Sequence, residues 1–248
     1  MTLIGNKDFY LEVAKGNVAN HISVNLFGRN TDIDSASAED VWPHGGDWTA
    51  PTTARLHNIA SSDANDTSAG TGARTVLVTG LNGSYAITSE SITMNGVANV
   101  ATTNSYVFIS EIKVTSAGSG LVNAGNITAT AQTDATVSCS VTIGKNKSAM
   151  GIYQVPAGYT AYLSYYQAGF QNATGGSYCD VELLAKPDGG VFSVIGYHGL
   201  INTGTSIEDD YYYSPVVLTE KTIIKTRATS SANNSNVQVR MCLTLVAN

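Results

Sequence analysis

Histidines and carboxylates are the side chains from which a catalytic or metal site would be built, and the chain has 4 histidines and 19 acidic residues. His44 has the most suggestive neighbours, because Asp47 follows it in the segment WPHGGDW and could orient its ring. A structural or solvated loop histidine is the competing interpretation. None of the histidines has a cysteine, histidine or carboxylate at a spacing typical of metal ligands. The G-x-S-x-G, H-E-x-x-H and G-x-x-x-x-G-K-S/T patterns are also missing from the sequence, so we expect no catalytic residue, cofactor or metal site, and no enzyme.

The segment 61–74, SSDANDTSAGTGAR, is the most loop-like part of the chain. Its Asp63, Asn65 and Asp66 could offer oxygen atoms to a hard cation such as Ca²⁺. The spacing differs from that of an EF-hand loop, and the glycine and aspartate repeat of calcium β-rolls is missing. A flexible turn with Asx-type hydrogen bonds is the other interpretation, and the sequence leaves both open.

The segment 207–215, IEDDYYYSP, combines three acidic residues with Tyr211, Tyr212 and Tyr213 in a stretch that is typical of a loop. Exposed rings beside carboxylates could bind a sugar, and tyrosines are also frequent in protein interfaces. A loop that covers the edge of a sandwich is a third interpretation. A glycosidase would need two carboxylates about 5–9 Å apart on a rigid frame, which neighbouring residues of one loop seldom provide.

The three cysteines, Cys139, Cys179 and Cys242, are odd in number and far apart in the sequence. Each lies in a run of residues that is typical of a strand, and no C-x-x-C spacing occurs. We therefore predict small buried side chains and neither a disulfide nor a metal site.

Composition excludes several classes of protein. The 13 basic and 19 acidic residues give a net charge of −6, and no cluster of basic residues is present to neutralise phosphates. No apolar run is long enough to cross a bilayer. We therefore expect neither nucleic acid nor membrane as a partner. The N-terminal residues lack the basic and apolar pattern of a secretory signal, which predicts synthesis in a cytoplasm.

Alternation of apolar and polar residues is the main signal of secondary structure. It is clearest in the segments 137–143, 179–186 and 236–247, and we predict a half-buried strand in each. Weaker strand patterns are found in RTVLVTGL, SYAITSESITM, SYVFISEIKV, YTAYLSYYQA, GVFSVIGY and TIIKTRA. The Asn82–Gly83 pair between two of these runs is typical of a tight hairpin, so the flanking strands should pair. Many short strands of this kind indicate a sandwich or barrel, and we predict an all-β antiparallel β-sandwich.

Residues 1–50 differ from the rest, and we predict an extended N-terminal arm followed by a sandwich domain at 51–248, with a candidate division near residue 145. The arm mixes isolated apolar residues with acidic and small polar ones. Its large rings must pack on its own domain or on a neighbouring chain, since they would otherwise face water. The candidate interaction residues are therefore these rings together with the tyrosine cluster: Phe9, Tyr10, Phe27, Trp42, Trp48, Tyr211, Tyr212 and Tyr213.

Several phrases spread over most of the chain carry a resemblance to a known group of proteins. They are LFGRNTDIDSASAEDVWPHGGDW, SSDANDTSAGTGARTVLVTGLNGSYAITSESITMNG, TSAGSGLVNAGNITATA and YQVPAGYTAYL. In composition and order they resemble a type of virion structural protein of tailed bacteriophages, particularly those of marine bacteria. The resemblance implies an all-β, jelly-roll-like subunit of a capsid or tail, with no enzymatic residues to carry over.

The composition is also suited to self-assembly. Only 13% of the residues are charged, and uncharged polar groups cost less to bury than ions. The segment 114–131 contains no charged residue, so an exposed strand there could pair with another chain. A closed ring of copies would cover such edges.

We therefore predict a non-enzymatic virion subunit that forms a homo-oligomer, a trimer, and binds other virion proteins such as major capsid or tail proteins. It would serve as a capsid decoration or cement, or as a tail collar or knob. A carbohydrate-binding or receptor-binding module, with a host surface glycan as partner, is the alternative. A depolymerase-type hydrolase is a third hypothesis, which the missing acid and base disfavour.

Overall fold

The computed structural model describes residues 8–51, 53–203 and 206–248. Within these ranges one short helix, α1 (Phe9–Ala14), precedes the strands. The side chain of Asp8 caps this helix by accepting a hydrogen bond from the backbone N–H of Leu11. Six residues span fewer than two helical turns, so the sequence shows no helical period at this place.

All other regular elements of the described ranges are β-strands, and their pairs are antiparallel. In chain order the strands are β1 (His21–Ile33), β2 (Glu39–Asp40), β3 (His57–Ser61), β4 (Ala73–Leu81), β5 (Ile87–Thr93), β6 (Val100–Ala101), β7 (Phe108–Ala117), β8 (Ile127–Ala131), β9 (Val137–Val141), β10 (Ile152–Gln154), β11 (Tyr159–Gln171), β12 (Tyr178–Lys186), β13 (Ser193–Ile201), β14 (Ser206–Leu218), β15 (Ile223–Ser230) and β16 (Ser235–Ala247). The prediction of an all-β antiparallel fold is confirmed.

Eight of these strands are connected as a jelly roll. Sheet I has the order β1-β16-β11-β14, and sheet II has the order β10-β15-β12-β13 with β2 added beside β15. Numbered 1 to 8 along the chain, without β2, the strands follow the orders 1-8-3-6 and 2-7-4-5. These are the strand orders of two interlocked Greek keys, so the topology confirms the predicted jelly-roll-like sandwich.

The segment between β2 and β10 forms two further sheets. Sheet III has the order β6-β3-β8-β9, and sheet IV has the order β5-β4-β7. Both are joined to the jelly roll through one continuous hydrophobic core. At the junction, the ring of Phe108 on β7 contacts Trp48 at a centroid distance of 5.6 Å and Tyr153 at 6.4 Å. Sheets III and IV are therefore an insertion into the jelly roll that packs directly against it.

The N-terminal segment contributes two strands to the jelly roll. β1 pairs with β16 from His21 opposite Val246 to Asn30 opposite Val237, and β2 pairs with β15. The residues of β1 that face sheet II are more buried than those that face solvent, as expected for a strand with one side on the core. The structure therefore places this part of the predicted arm within the sandwich itself.

One of the three clearest strand predictions needs correction. β9 was predicted to be half buried, but Ser138 and Ser140 on its polar face are as buried as its apolar residues. The hydroxyl of Ser138 is 2.8 Å from Nε2 of His57, and its carbonyl accepts a hydrogen bond from Nε1 of Trp48 at 3.0 Å. Small hydroxyl side chains can be buried when they are hydrogen-bonded, which is why alternation alone misjudged this face.

The predicted hairpin at Asn82 and Gly83 is present, and β4 pairs with β5 on either side of it. The side chain of Asn82 accepts hydrogen bonds from the backbone N–H groups of Ser84 and Ala86, at 2.9 and 3.1 Å. The positive φ angle of the turn, 60°, falls on Tyr85. Asparagine thus makes this turn chiefly through its side-chain oxygen.

Candidate interaction surface

The solvent side of sheet I, which we call the outer face, carries most of the exposed aromatic residues predicted to interact. One row across the four strands consists of Phe27, Arg240, Gln167 and Asp209. The neighbouring row consists of Asn25, Cys242, Tyr165 and Tyr211. Phe27 is 50% exposed and Tyr211 is 71% exposed. The fold thus brings onto one surface two predicted residues that are far apart in the sequence.

The tyrosine cluster does not lie in a loop, as the sequence had suggested, but in the edge strand β14. Tyr211 packs on Tyr165 of the adjacent strand with a centroid distance of 4.7 Å, while Tyr213 is fully exposed. Tyr212 is half-buried, and burial together with the nearby carboxylate of Asp210 raises the pKa of its phenol. Successive residues of a strand point to opposite faces, so the three rings cannot form one flat platform.

His198 on β13 holds β14 against the sandwich. Its side chain is almost fully buried, and Nδ1 lies 3.1 Å from Oε2 of Glu208. Nε2 lies 3.2 Å from Oδ2 of Asp210 but is not aligned for a hydrogen bond. The ring also packs on Tyr166 at a centroid distance of 5.1 Å. Glu208 and Asp210 of the edge strand β14 thus both contact the imidazole of His198, which belongs to sheet II. Sequence spacing does not reveal this role of His198, because its carboxylate partners lie on the next strand.

A groove runs along the opposite edge of sheet I, between β1 and the segment 142–150. Its volume is about 430 Å³. Phe27 and Arg29 line it from β1, Lys145 and Lys147 line it from the segment 142–150, and Glu111 lines it from β7. Lys147 forms an ion pair with Glu111, with Nζ 2.5 Å from Oε2. Three cationic side chains against one carboxylate make this groove basic in a protein that carries more acidic than basic residues.

Phe9 and Tyr10 lie on α1 at the end of the outer face. The ring of Phe9 contacts His21 at 5.7 Å and Tyr10 at 5.6 Å, both edge to face. Together with Tyr162 and Pro215 these residues surround a shallow cavity of about 210 Å³. Phe9 is 41% exposed and Tyr10 is 57% exposed, so α1 extends the aromatic character of the outer face.

The two tryptophans are not on this surface. Trp42 is 2% exposed and Trp48 is 4% exposed, and both belong to the hydrophobic core. Nε1 of Trp42 donates a hydrogen bond to the carbonyl of Gly46 at 3.0 Å. The sequence left open whether the aromatic residues of this segment pack on their own domain or on a neighbouring chain. The two tryptophans pack on their own domain.

The side chains that could have held a cation bind backbone groups of their own loop and of the loop that precedes β8. Asp66 is fully buried and accepts hydrogen bonds from the hydroxyl of Ser61 and from three backbone N–H groups, those of Ala73, Ala124 and Gly125. Oδ1 of Asp63 accepts from the backbone and the side chain of Asn65, at 2.8 and 2.9 Å, in an Asx-type turn. Among the described residues, no group of three or more His, Cys, Asp or Glu side chains is placed to hold a metal ion.

The cysteines are free, and two of the three are buried as predicted. Burial raises the pKa of the Cys139 and Cys179 thiols to about 12. Cys242 is only partly buried, on the outer face, with Sγ 3.2 Å from Oδ1 of Asn25. It lies at an outward position of β16, a strand whose inner residues form the core.

In the part of the chain that the structure describes, no helix has the length and apolar character needed to span a membrane. No protein-family model and no curated protein significantly matches the sequence. Among solved structures, a T=1 particle derived from infectious bursal virus is 12% identical, with a TM-score of 0.25 over 96% of this chain and 75% of that chain. The VP2 subviral particle of infectious bursal disease virus is 10% identical, with a TM-score of 0.25 over 96% of this chain and 78% of that one. These values identify no family for the chain.

Proposed function

We propose that this protein is a non-enzymatic structural subunit of a virion, a capsid decoration or cement protein or a tail collar or knob. Its work is to bind copies of itself, as a trimer, and neighbouring capsid or tail proteins. The resemblance of its phrases to virion proteins of tailed bacteriophages suggests this role.

The observation that carries the proposal is the outer face of sheet I with its exposed rings. Phe27, Tyr211 and Tyr213 are each at least half exposed and belong to the surface of the jelly roll, not to its buried core. Exposed large aromatic side chains that share one surface are typical of interaction sites. In this proposal the jelly roll forms the contacts between copies, and the inserted sheets III and IV are an additional part attached to it.

Size-exclusion chromatography with light scattering of the purified chain tests the assembly. We expect an oligomer, with three copies as the predicted number. A monomer at every protein concentration would contradict the self-assembly.

A second candidate function is recognition of a host surface glycan by the same face. The packed pair Tyr165 and Tyr211 lies next to Gln167 and Asp209, so ring surfaces and hydrogen-bonding groups are adjacent. Sugar-binding sites use this combination, because a ring covers the apolar side of a pyranose while polar groups bind its hydroxyls. Adsorption to bacterial surface polysaccharide should fall sharply in the Tyr211→Ala variant. It should stay unchanged in a Tyr178→Ala control, because Tyr178 is also an exposed tyrosine but lies on β12 of sheet II. Equal adsorption by the wild type and both variants would remove this function.

A further inference from the structure

We propose that copies of this chain associate head to tail, with the acidic edge strand β14 of one copy docked in the basic groove beside β1 of the next. The inference rests on the proposed self-assembly and specifies its interface. Three features of the structure support it: the open edges of sheet I, their opposite charges and their exposed rings.

The two strands lie at opposite edges of the same sheet. Among the described residues, β1 pairs within its sheet only with β16, and β14 pairs only with β11. Both strands are 13 residues long. An open edge of this length presents unpaired backbone groups that other chains can bind. Because the edges are separated by the width of sheet I, contact between them requires a second molecule.

The charges of the two edges are complementary. β14 carries Glu208, Asp209 and Asp210 in succession. Asp209 points away from His198 and is exposed to solvent. The groove beside β1 is lined by Arg29, Lys145 and Lys147; Arg29 also donates to Oδ1 of Asn236, and Lys147 pairs with Glu111. Lys145 is exposed to solvent. The backbone N–H of Arg29 donates a hydrogen bond to the carbonyl of Ala149, and this bond connects the two sides of the groove. Opposite charges of this kind steer two copies together and set the register of the contact.

The groove beside β1 and the exposed side chains of β14 also match in shape and polarity. The groove of about 430 Å³ has the exposed ring of Phe27 on one side. β14 projects the exposed side chains of Ile207, Tyr211 and Tyr213. Tyrosine is enriched among the residues that dominate binding energy at interfaces. A tyrosine of β14 that enters the groove would bury its ring against Phe27 while the neighbouring carboxylate meets Lys145.

A contact between two different surfaces of identical chains is heterologous, so it leads to a ring if the rotation closes and to a filament if it does not. A closed ring covers both open edges of every copy. The same contact repeated around a three-fold axis gives the proposed trimer.

Charge reversal on each edge tests the contact. The edge variant Asp209→Lys and the groove variant Lys145→Asp should each weaken association at least about tenfold, as measured by sedimentation velocity at low salt. The double variant carries the opposite charges at both positions, and we expect it to recover most of the wild-type association. Asp188→Lys is a matched control, since Asp188 is an exposed acid in the turn between β12 and β13, and it should associate as the wild type does.

Far-ultraviolet circular dichroism and thermal melting confirm that each variant is folded, which the exposure of the substituted side chains favours. Wild-type association in both single variants would overturn the proposed contact, and so would a double variant that fails to recover. In either result an oligomeric wild type leaves the proposed function intact. A monomeric wild type would instead overturn both the function and the interface.

Discussion

Nζ of Lys225 lies 2.7 Å from Oδ2 of Asp40, and the side chain of Asp40 is completely buried. This ion pair joins β2, from the N-terminal segment, to β15 in sheet II. The same carboxylate oxygen accepts a hydrogen bond from the backbone N–H of Trp48 at 2.7 Å. One pair of charges therefore fixes the segment that leads from the jelly roll into the inserted sheets.

Replacing Lys225 by methionine should lower the free energy of unfolding by about 3–5 kcal/mol, because it leaves the buried carboxylate without its counter-charge. Urea denaturation at pH 7 measures the change. The double variant with Asp40→Asn and Lys225→Met should recover part of the loss, since an amide keeps an acceptor for Trp48. Equal stability of the wild type and Lys225→Met would show that the pair is not buried in solution.

The loss of unfolding free energy caused by Lys225→Met should depend on pH. Burial raises the pKa of Asp40 in the folded wild type, while the hydrogen bond and charge of Lys225 oppose that rise. Without Lys225 the pKa of Asp40 rises further, so the folded variant binds a proton at a pH where the unfolded chain does not. Lowering the pH from 7 towards the unfolded pKa of 3.8 should therefore narrow the stability difference between the two proteins. A constant or growing difference would contradict this account.

Asp66→Asn should destabilise the protein by about 2–4 kcal/mol. The two carboxylate oxygens of Asp66 serve three backbone N–H groups and one hydroxyl, and an amide has only one oxygen to accept with. Chemical denaturation gives the value. Asp63→Asn is the matched control in the same loop, because asparagine keeps an oxygen for the Asx turn, and it should change stability by less than about 0.5 kcal/mol.

Gly28→Ala should cost about 1–3 kcal/mol or more, because β1 passes very close to the chain next to β10. A Cβ atom at position 28 would stand 2.3 Å from Cα of Gly151, which is a backbone atom that cannot turn aside. Thermal melting compares this variant with Gly175→Ala, where a Cβ meets nothing within 4 Å. We expect the control to melt as the wild type does, and equal melting of the two variants would be evidence against the close approach.

Thiol labelling of the native protein should modify Cys242 alone. Burial raises the pKa of Cys139 and Cys179 to about 12, so these thiols are both inaccessible and protonated at pH 8. We expect Ellman's reagent to titrate one slow thiol in the folded chain and three in urea. A Cys242→Ser variant should show no reaction when folded, and rapid labelling of either buried cysteine would indicate a looser core.

The class of fold and most strands follow from local patterns in the sequence. Alternation in the segments 179–186 and 236–247 predicted β12 and β16 with the correct buried faces, since the side chains of a strand point alternately to the two sides of a sheet. The Asn82 turn predicted the pairing of β4 with β5, because a tight turn leaves adjacent strands side by side.

The surface itself could be predicted only in part. The sequence predicts Phe27 and Tyr211 as interaction residues, but it does not predict their row neighbours Arg240 and Tyr165. An outward position in an alternating strand is a usable signal for such residues. It becomes informative only once the order of the strands is known.

The sequence by itself determined that this chain is an antiparallel β protein with free cysteines in its strands, because those properties depend on side chains a few residues apart. The tertiary structure alone decided that β1 pairs with β16, which follows it by about 200 residues. It also decided that IEDDYYYSP is an edge strand and that Trp48 is buried against Phe108. Strand partners and edges depend on which arrangement of the whole chain covers the most apolar surface while pairing its backbone groups, and no local pattern specifies that arrangement.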